Sequence, residues 1–189
     1  MKVSREQAAE NRERIVNAAA RLFREHGFDG VGVADIMRSA GLTHGGFYGH
    51  FGSKDDLAAE ACARALEKSV TRWNALRETE GDPLAVIVGS YLAETHRDRP
   101  GTGCVVAALG SDVARQGRGV RQAVTKGVEG LIDRLAQLFP GRSKAVKRRK
   151  AVASFAAMVG AVIMARAVDD AELSREILDA VSGSVLPSR

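Results

Sequence analysis

Residues 33–57 read Val33-Ala34-Asp35-Ile36-Met37-Arg38-Ser39-Ala40-Gly41-Leu42-Thr43-His44-Gly45-Gly46-Phe47-Tyr48-Gly49-His50-Phe51-Gly52-Ser53-Lys54-Asp55-Asp56-Leu57. Val33, Ile36, Met37 and Ala40 recur at helical spacing and Gly41 closes them, so the stretch opens with a short helix. Leu42-Thr43 supplies a turn and an N-cap, and His44 to Phe51 is expected to form a second short helix. Ser53-Lys54-Asp55-Asp56 then opens a third as a capping-box variant, with Asp in place of Glu at the third position. Two short helices around a tight glycine turn make a helix-turn-helix, whose second helix is shaped for a major groove. By itself that pattern is weak, because any packed helix pair can show it. The chemistry beside the second helix strengthens it, since Tyr48 and Lys54 can both reach phosphate oxygens from there. Lys54 stands in the first turn of its helix, where a cation opposes the macrodipole, partly offset by Asp55 and Asp56.

Outward from this stretch the periodicity remains helical. Upstream, Ile15, Ala18, Ala19, Leu22 and Phe23 mark one apolar face, closed by His26-Gly27. Downstream, the helix opened at Ser53 runs through Leu57, Ala61, Leu66 and Val70 to about residue 78. Glu80-Gly81-Asp82-Pro83 is a break and a restart, with Asp82 capping and Pro83 in the first turn. The next face is Leu84, Ile87, Val88, Tyr91 and Leu92, followed by a loop at Arg99-Pro100-Gly101-Thr102-Gly103. Cys104 to Ala114 reads as helix, and Val124, Val128, Leu131, Leu135 and Leu138 define a longer one ended by Pro140-Gly141. Two more helices are expected around 145–168 and 171–185. No alternating run is long enough for a strand, so the predicted fold class is all-α, with about nine helices.

Composition narrows the function classes. The chain has 189 residues, 45% hydrophobic and 27% charged, values of a globular protein rather than a disordered one. Its net charge is +5, yet residues 1–57 carry eight Lys/Arg and eight Asp/Glu and are neutral. Much of the excess lies in Arg142, Lys144, Lys147, Arg148, Arg149 and Lys150. That run reads as the solvated start of a helix; it lacks the large apolar face a membrane-surface helix needs. The N-terminal Met1-Lys2-Val3-Ser4 and its continuation lack the apolar stretch of a signal peptide. The near-apolar run Ala151 to Ala165 falls short of the ~20 residues that cross a bilayer. Cys62 and Cys104 are too far apart for a local metal site or a disulfide framework, which makes a reducing, cytoplasmic setting the default. No glycine-rich phosphate loop, metal-spaced His/Cys cluster or serine elbow is present, so neither an enzyme nor a cofactor is expected. His96, Asp98 and Cys104 lie close in sequence without a defined geometry.

The 33–57 stretch, with Leu22-Phe23-Arg24-Glu25-His26-Gly27-Phe28 before it, strongly resembles the N-terminal segment of TetR-family transcriptional regulators. The resemblance covers roughly the first third of the chain, with many positions matching in register. It implies an N-terminal three-helix DNA-binding domain over residues 1–55 and a helical effector-binding and dimerisation domain over 56–189. It further implies that Thr43 caps the recognition helix and touches phosphate, that Tyr48 and Lys54 hold the DNA backbone, and that His44 with the Gly45-Gly46 backbone faces bases. His50 joins this DNA-binding set, while Phe47 and Phe51 are expected in the core. Two departures stand out. Gly32 occupies a position where the family often has Thr or Ser, leaving one cap hydroxyl absent. The recognition helix also holds Gly45, Gly46 and Gly49, each costing about 0.8–1.0 kcal/mol relative to Ala in a helix interior. Few side chains remain to read bases, which shifts specificity toward backbone approach, thymine methyls and DNA shape.

The expected partners are a palindromic double-stranded operator, a second copy of the chain and a small-molecule effector, with no membrane. The expected dimer faces are Ala151, Phe155, Val159, Val162 and Ile163 together with Leu173, Ile177 and Val181. The expected effector pocket is lined by Trp73, Tyr91, Cys104 and Met158, because large or polarizable side chains commonly line apolar pockets. Cys104 carries an alternative, a thiol sensor of electrophiles, if the dipole of the helix it opens and the cations Arg97 and Arg99 favour its thiolate.

Overall fold

Ser4 Oγ accepts the Gln7 amide at 3.1 Å and starts α1, Arg5–His26. The computed structural model describes residues 4–186, so Met1-Lys2-Val3, read above as lacking a signal peptide, lies outside the described residues. α1 buries Ile15, Val16, Ala19 and Phe23, and ends where Gly27 at φ 77° donates to the Phe23 carbonyl. Within α2, Val33–Ser39, the Asp35 carboxylate accepts the Gly32 amide at 3.2 Å, the reach-back half of a capping box, while the Asp35 amide, with no cap hydroxyl to meet, bonds the Gly32 carbonyl at 3.1 Å. Gly41 at φ 68° reverses the chain, and the Leu42 amide bonds the Met37 carbonyl at 2.9 Å.

The segment expected as an α-helical recognition element is instead a 3₁₀ turn, His44–Gly49. Three glycines in six residues lower the propensity for regular helix, and the short 3₁₀ form needs fewer ordered turns. Thr43 precedes it without the expected side-chain cap bond. Ser53 then caps α3, Lys54–Leu76, by accepting the Asp56 amide at 3.0 Å.

The remaining α-helices are α4 (Pro83–Tyr91), α5 (Glu94–Asp98), α6 (Val105–Val113), α7 (Arg118–Leu138), α8 (Lys144–Ala167) and α9 (Ala171–Val185), with a second 3₁₀ turn at Pro100–Thr102. The described residues are thus all-helical, with nine α-helices. α5 lies in a stretch given no helix by sequence, because five residues carry too little periodicity to reveal it. α3 packs against both α1 and α7, and α8 packs against α7 and α9. The α3–α7 approach is close, since a Cβ on Gly127 would stand 2.5 Å from Leu66 Cδ1.

α8 spans 24 residues and, unlike the 151–165 run that suggested it, is long and apolar enough by length and composition to cross a membrane. Its packing accounts for that composition: Ala151, Phe155, Met158, Ala161, Val162 and Ala165 are buried inside this chain. This also corrects the expected dimer face, because Ala151, Phe155 and Val162 belong to the chain's own core. The apolar side chains facing outward are Val152, Ile163 at 45% exposure, Met164 at 56% and, on α9, Leu173. Val159, Ile177 and Val181 are half-buried beside them.

Candidate nucleic-acid interface and an adjoining cavity

The 3₁₀ turn presents a nearly bare surface. Phe47 is its buried anchor, stacked on Phe51 with centroids 5.8 Å apart, and Arg12 lies 4.3 Å above the Phe51 ring. Thr43, His44, Gly45, Gly46 and Tyr48 are all exposed on one segment, and His50 is half-buried at its end. Tyr48 is 72% exposed, the most exposed large hydrophobic side chain among the described residues, and meets the Phe47 ring edge-on. A Cβ on Gly45 or Gly49 would meet nothing within 4 Å, and one on Gly46 would touch only Met37 at 3.6 Å. The fold itself therefore does not require glycine at 45 or 49. Lys54, expected as a phosphate contact, donates from Nζ to the Phe28 carbonyl at 2.6 Å. An ammonium has three donors, so two stay available for an external acceptor.

A cavity of about 330 Å³ lies between α1, α3, α4 and the 101–104 loop. Trp73, Tyr91 and Cys104 line it. Met158 does not; it is 0% exposed and sits in the core. Helical periodicity marks a residue as inward-facing and cannot separate core from cavity. Trp73 and Tyr91 meet edge to face at 6.2 Å, and Phe155 packs on both.

The loop is held by residues that sequence reading left open. His96 Nδ1 lies 2.5 Å from the Tyr91 carbonyl oxygen, and its Nε2 accepts the Cys104 amide at 2.9 Å. The imidazole is therefore neutral with its proton on Nδ1. Burial holds it below its ordinary pKa, with Arg166 and Arg72 adding to that against the bond to Tyr91. Gly103 is required here, since a Cβ would stand 2.7 Å from His96 Cδ2. Gly101 permits equally close contact with Glu25 on α1. Asp98 turns away to Arg97, so His96, Asp98 and Cys104 do not converge.

Sequence reading also missed two arginines. Arg24 on α1 donates to the Gly101 carbonyl. Arg166 on α8 donates to three carbonyls, of His96 at 2.7 Å, Arg97 at 2.8 Å and Ala107 at 3.1 Å. Arg24 shares the cavity wall with Cys104, whereas Arg97 and Arg99 do not line it. Both contacts join residues some seventy positions apart, and no local signal announces them. Burial pushes the other thiol, Cys62, up to about 12.

Residues 15–61, which comprise the second half of α1, all of α2, the exposed turn and the start of α3, match the model of the tetR family of bacterial regulatory proteins. Over residues 15–61 the chain carries the N-terminal segment of the TetR family. Among its curated TetR-family relatives it is similar to the HTH-type transcriptional repressor KstR2 of Mycolicibacterium smegmatis, 31% identical over 46% of this chain and 42% of that one. It is also similar to the HTH-type transcriptional repressor NemR of Escherichia coli K12, 26% identical over 68% of this chain and 66% of that one. The matches to the first of these relatives span about two fifths of those proteins' length. The likeness in fold extends beyond this segment over most of the chain. The crystal structure of reduced E. coli NemR covers 93% of it and 94% of NemR at a TM-score of 0.76 and 24% identity. A TetR regulator from Chloroflexus aurantiacus covers 95% and 96% at a TM-score of 0.77 and 25% identity.

Proposed function

We propose that this chain is a cytoplasmic, ligand-responsive repressor of the TetR family that binds a palindromic double-stranded operator as a homodimer and releases it when a small molecule enters the cavity. The observation that carries this reading is the bare, exposed 44–49 turn, with Tyr48 beside it and no internal reason for glycine at 45 and 49. Residues 1–55 then act as the DNA-binding unit and 56–189 as the effector-binding and dimerisation unit. Thr43, Tyr48 and Lys54 hold phosphates, while His44, His50 and the Gly45-Gly46 backbone approach the groove. The unpartnered apolar stripe of Val152, Ile163, Met164 and Leu173 seats the second copy.

Coupling follows from connectivity. α3 belongs to both units, and α1 touches the 100–102 turn that walls the cavity. A ligand that shifts either contact changes half-site spacing, and a coupling of about 1–3 kcal/mol alters operator affinity about 5–150-fold. No catalytic turnover is part of this reading. Sedimentation of the chain with an operator duplex tests it: two chains per duplex are expected, and a complex of one chain per duplex would refute the dimeric reading.

A second reading makes Cys104 a sensor of electrophiles. It is favoured by the placement of Cys104 in a cavity wall that Arg24 also lines. Operator release by a mild thiol-directed electrophile in the wild type, and none in Cys104→Ser, supports it. Equal behaviour of the two proteins assigns Cys104 to packing.

A further inference from the structure

The cavity wall is strongly biased in charge. Arg21, Arg24, Lys68 and Arg72 line it, and no Asp or Glu does among the described residues. Only Arg21 has a carboxylate partner, Glu25 at 2.7 Å. The others are held by neutral acceptors: Arg72 by Ser90 Oγ at 2.9 Å, Lys68 by Asn17 Oδ1 at 2.7 Å and Arg24 by the Gly101 carbonyl. Neutral partners satisfy donors and leave the positive charge uncompensated.

A second, independent observation points into the same space. Tyr91 is 6% exposed, lines the cavity, and its hydroxyl has the Cys104 thiol beside it but no oxygen or nitrogen partner within the fold. Arg24 Nε is likewise buried and unpartnered. Buried donors without acceptors are rare in folded proteins and mark places where something else supplies the acceptor. Burial, then the neighbouring Cys104, push the Tyr91 phenol well above its ordinary pKa, so it keeps its proton and acts as a donor. The remaining wall is apolar, formed by Ala65, Leu131 and the Trp73 ring. At about 330 Å³ the space sits at the small end of ligand pockets, about 300–1,000 Å³.

Resting on the reading of this cavity as the effector site, we propose that it takes a small organic carboxylate with an apolar body. The carboxylate accepts from Arg24 Nε and the Tyr91 hydroxyl, Lys68 and Arg72 supply the field at the mouth, and the apolar body lies on Trp73. Two buried donors match the two oxygens of a carboxylate, and an ammonium ligand would meet only like charge. Because Arg24 belongs to α1 and also holds the Gly101 carbonyl, the bound anion acts directly on the contact between the DNA-binding unit and the loop. The signal then enters through α1 as well as through α3.

Trp73 is the only tryptophan of the chain and lies in the cavity wall, so its emission reports occupancy directly. The test titrates the full chain with 3-phenylpropionate, its primary amide and 3-phenylpropylamine, following Trp73 emission and, separately, release of a labelled operator. Saturable binding of the carboxylate is expected, at least about tenfold tighter than the amide or the amine. Tyr91→Phe, which removes a hydroxyl bonded to no oxygen or nitrogen in the fold, is expected to weaken it about tenfold with unchanged melting temperature, and Arg24→Met more strongly. Amide or amine binding as tight as the carboxylate overturns the anion proposal and leaves the effector reading standing. Carboxylate binding without operator release keeps the anion site and refutes its role as effector site. Absence of binding by all three probes, with folding intact, overturns the proposed site.

Discussion

Lys54 Nζ donates to the carbonyl oxygen of Phe28 at 2.6 Å, tying the first turn of α3 to the loop that follows α1. A cation at a helix start is locally unfavourable, and this bond gives it an internal use besides the phosphate contact proposed for it. Two effects should therefore separate on mutation. Lys54→Ala should lower stability by about 1 kcal/mol, seen in thermal melts, and reduce the salt dependence of operator binding by about one unit of slope. An unchanged slope with a lowered melting temperature would make Lys54 purely structural.

Gly45 and Gly49 give the opposite pairing of effects. Neither has a positive φ, and open space surrounds each. Alanine at either position should leave the fold as stable or raise its stability, by up to about 1 kcal/mol, because it reduces the freedom of the unfolded chain. The same added methyl should weaken operator binding if the backbone at these positions approaches DNA. Tyr48→Ala, at a side chain 72% exposed, should weaken binding with no change in melting temperature. Unaltered affinity in all three variants would place the DNA face elsewhere.

The apolar stripe on α8 and α9 should be the dimer seam. Ile163→Asp puts a charge at a position already 45% exposed in the single chain, so its own fold should survive. Sedimentation should show monomers, and operator affinity should fall with them. An intact dimer would move the seam off these helices.

His96 predicts an acid limb in stability. Its folded pKa lies below the unfolded value of about 6.5, so the unfolded chain binds the proton first as pH falls. The contribution is fully present above pH about 6.5 and is lost below it, until the folded-state pKa is reached. Urea midpoints should therefore drop on acidification starting near that pH, and His96→Gln should flatten this part of the profile. An identical slope in the variant would remove His96 as its source.

Much of the fold was legible in local pattern. Ser53 and Asp82 cap helices through their side chains as their sequence positions suggest, and the boundaries of α8 and α9 fall within a residue of those read from periodicity. The failures have physical reasons. The 44–51 stretch has helical spacing, but its glycines move it to 3₁₀ geometry. Ala151, Phe155 and Val162 share a helical face, and periodicity does not say whether that face meets this chain or a second one. The cavity was half legible. Trp73, Tyr91 and Cys104 were found as bulky or polarizable side chains, whereas nothing local in the sequence marks Arg24, Lys68 and Arg72 as cavity residues. Only the packing of α1 on α3 and on the 100–102 turn draws them to one space.

The central claim is dimeric recognition of a specific duplex through the 43–54 segment. Selection of bound sequences from a random pool of double-stranded DNA by the full chain tests it most directly. An inverted repeat is predicted, with half-site centres separated by about one helical turn, ~34–36 Å, or a whole multiple of it. Recovery of no enriched sequence, or of a single half-site without its inverted partner, would contradict it.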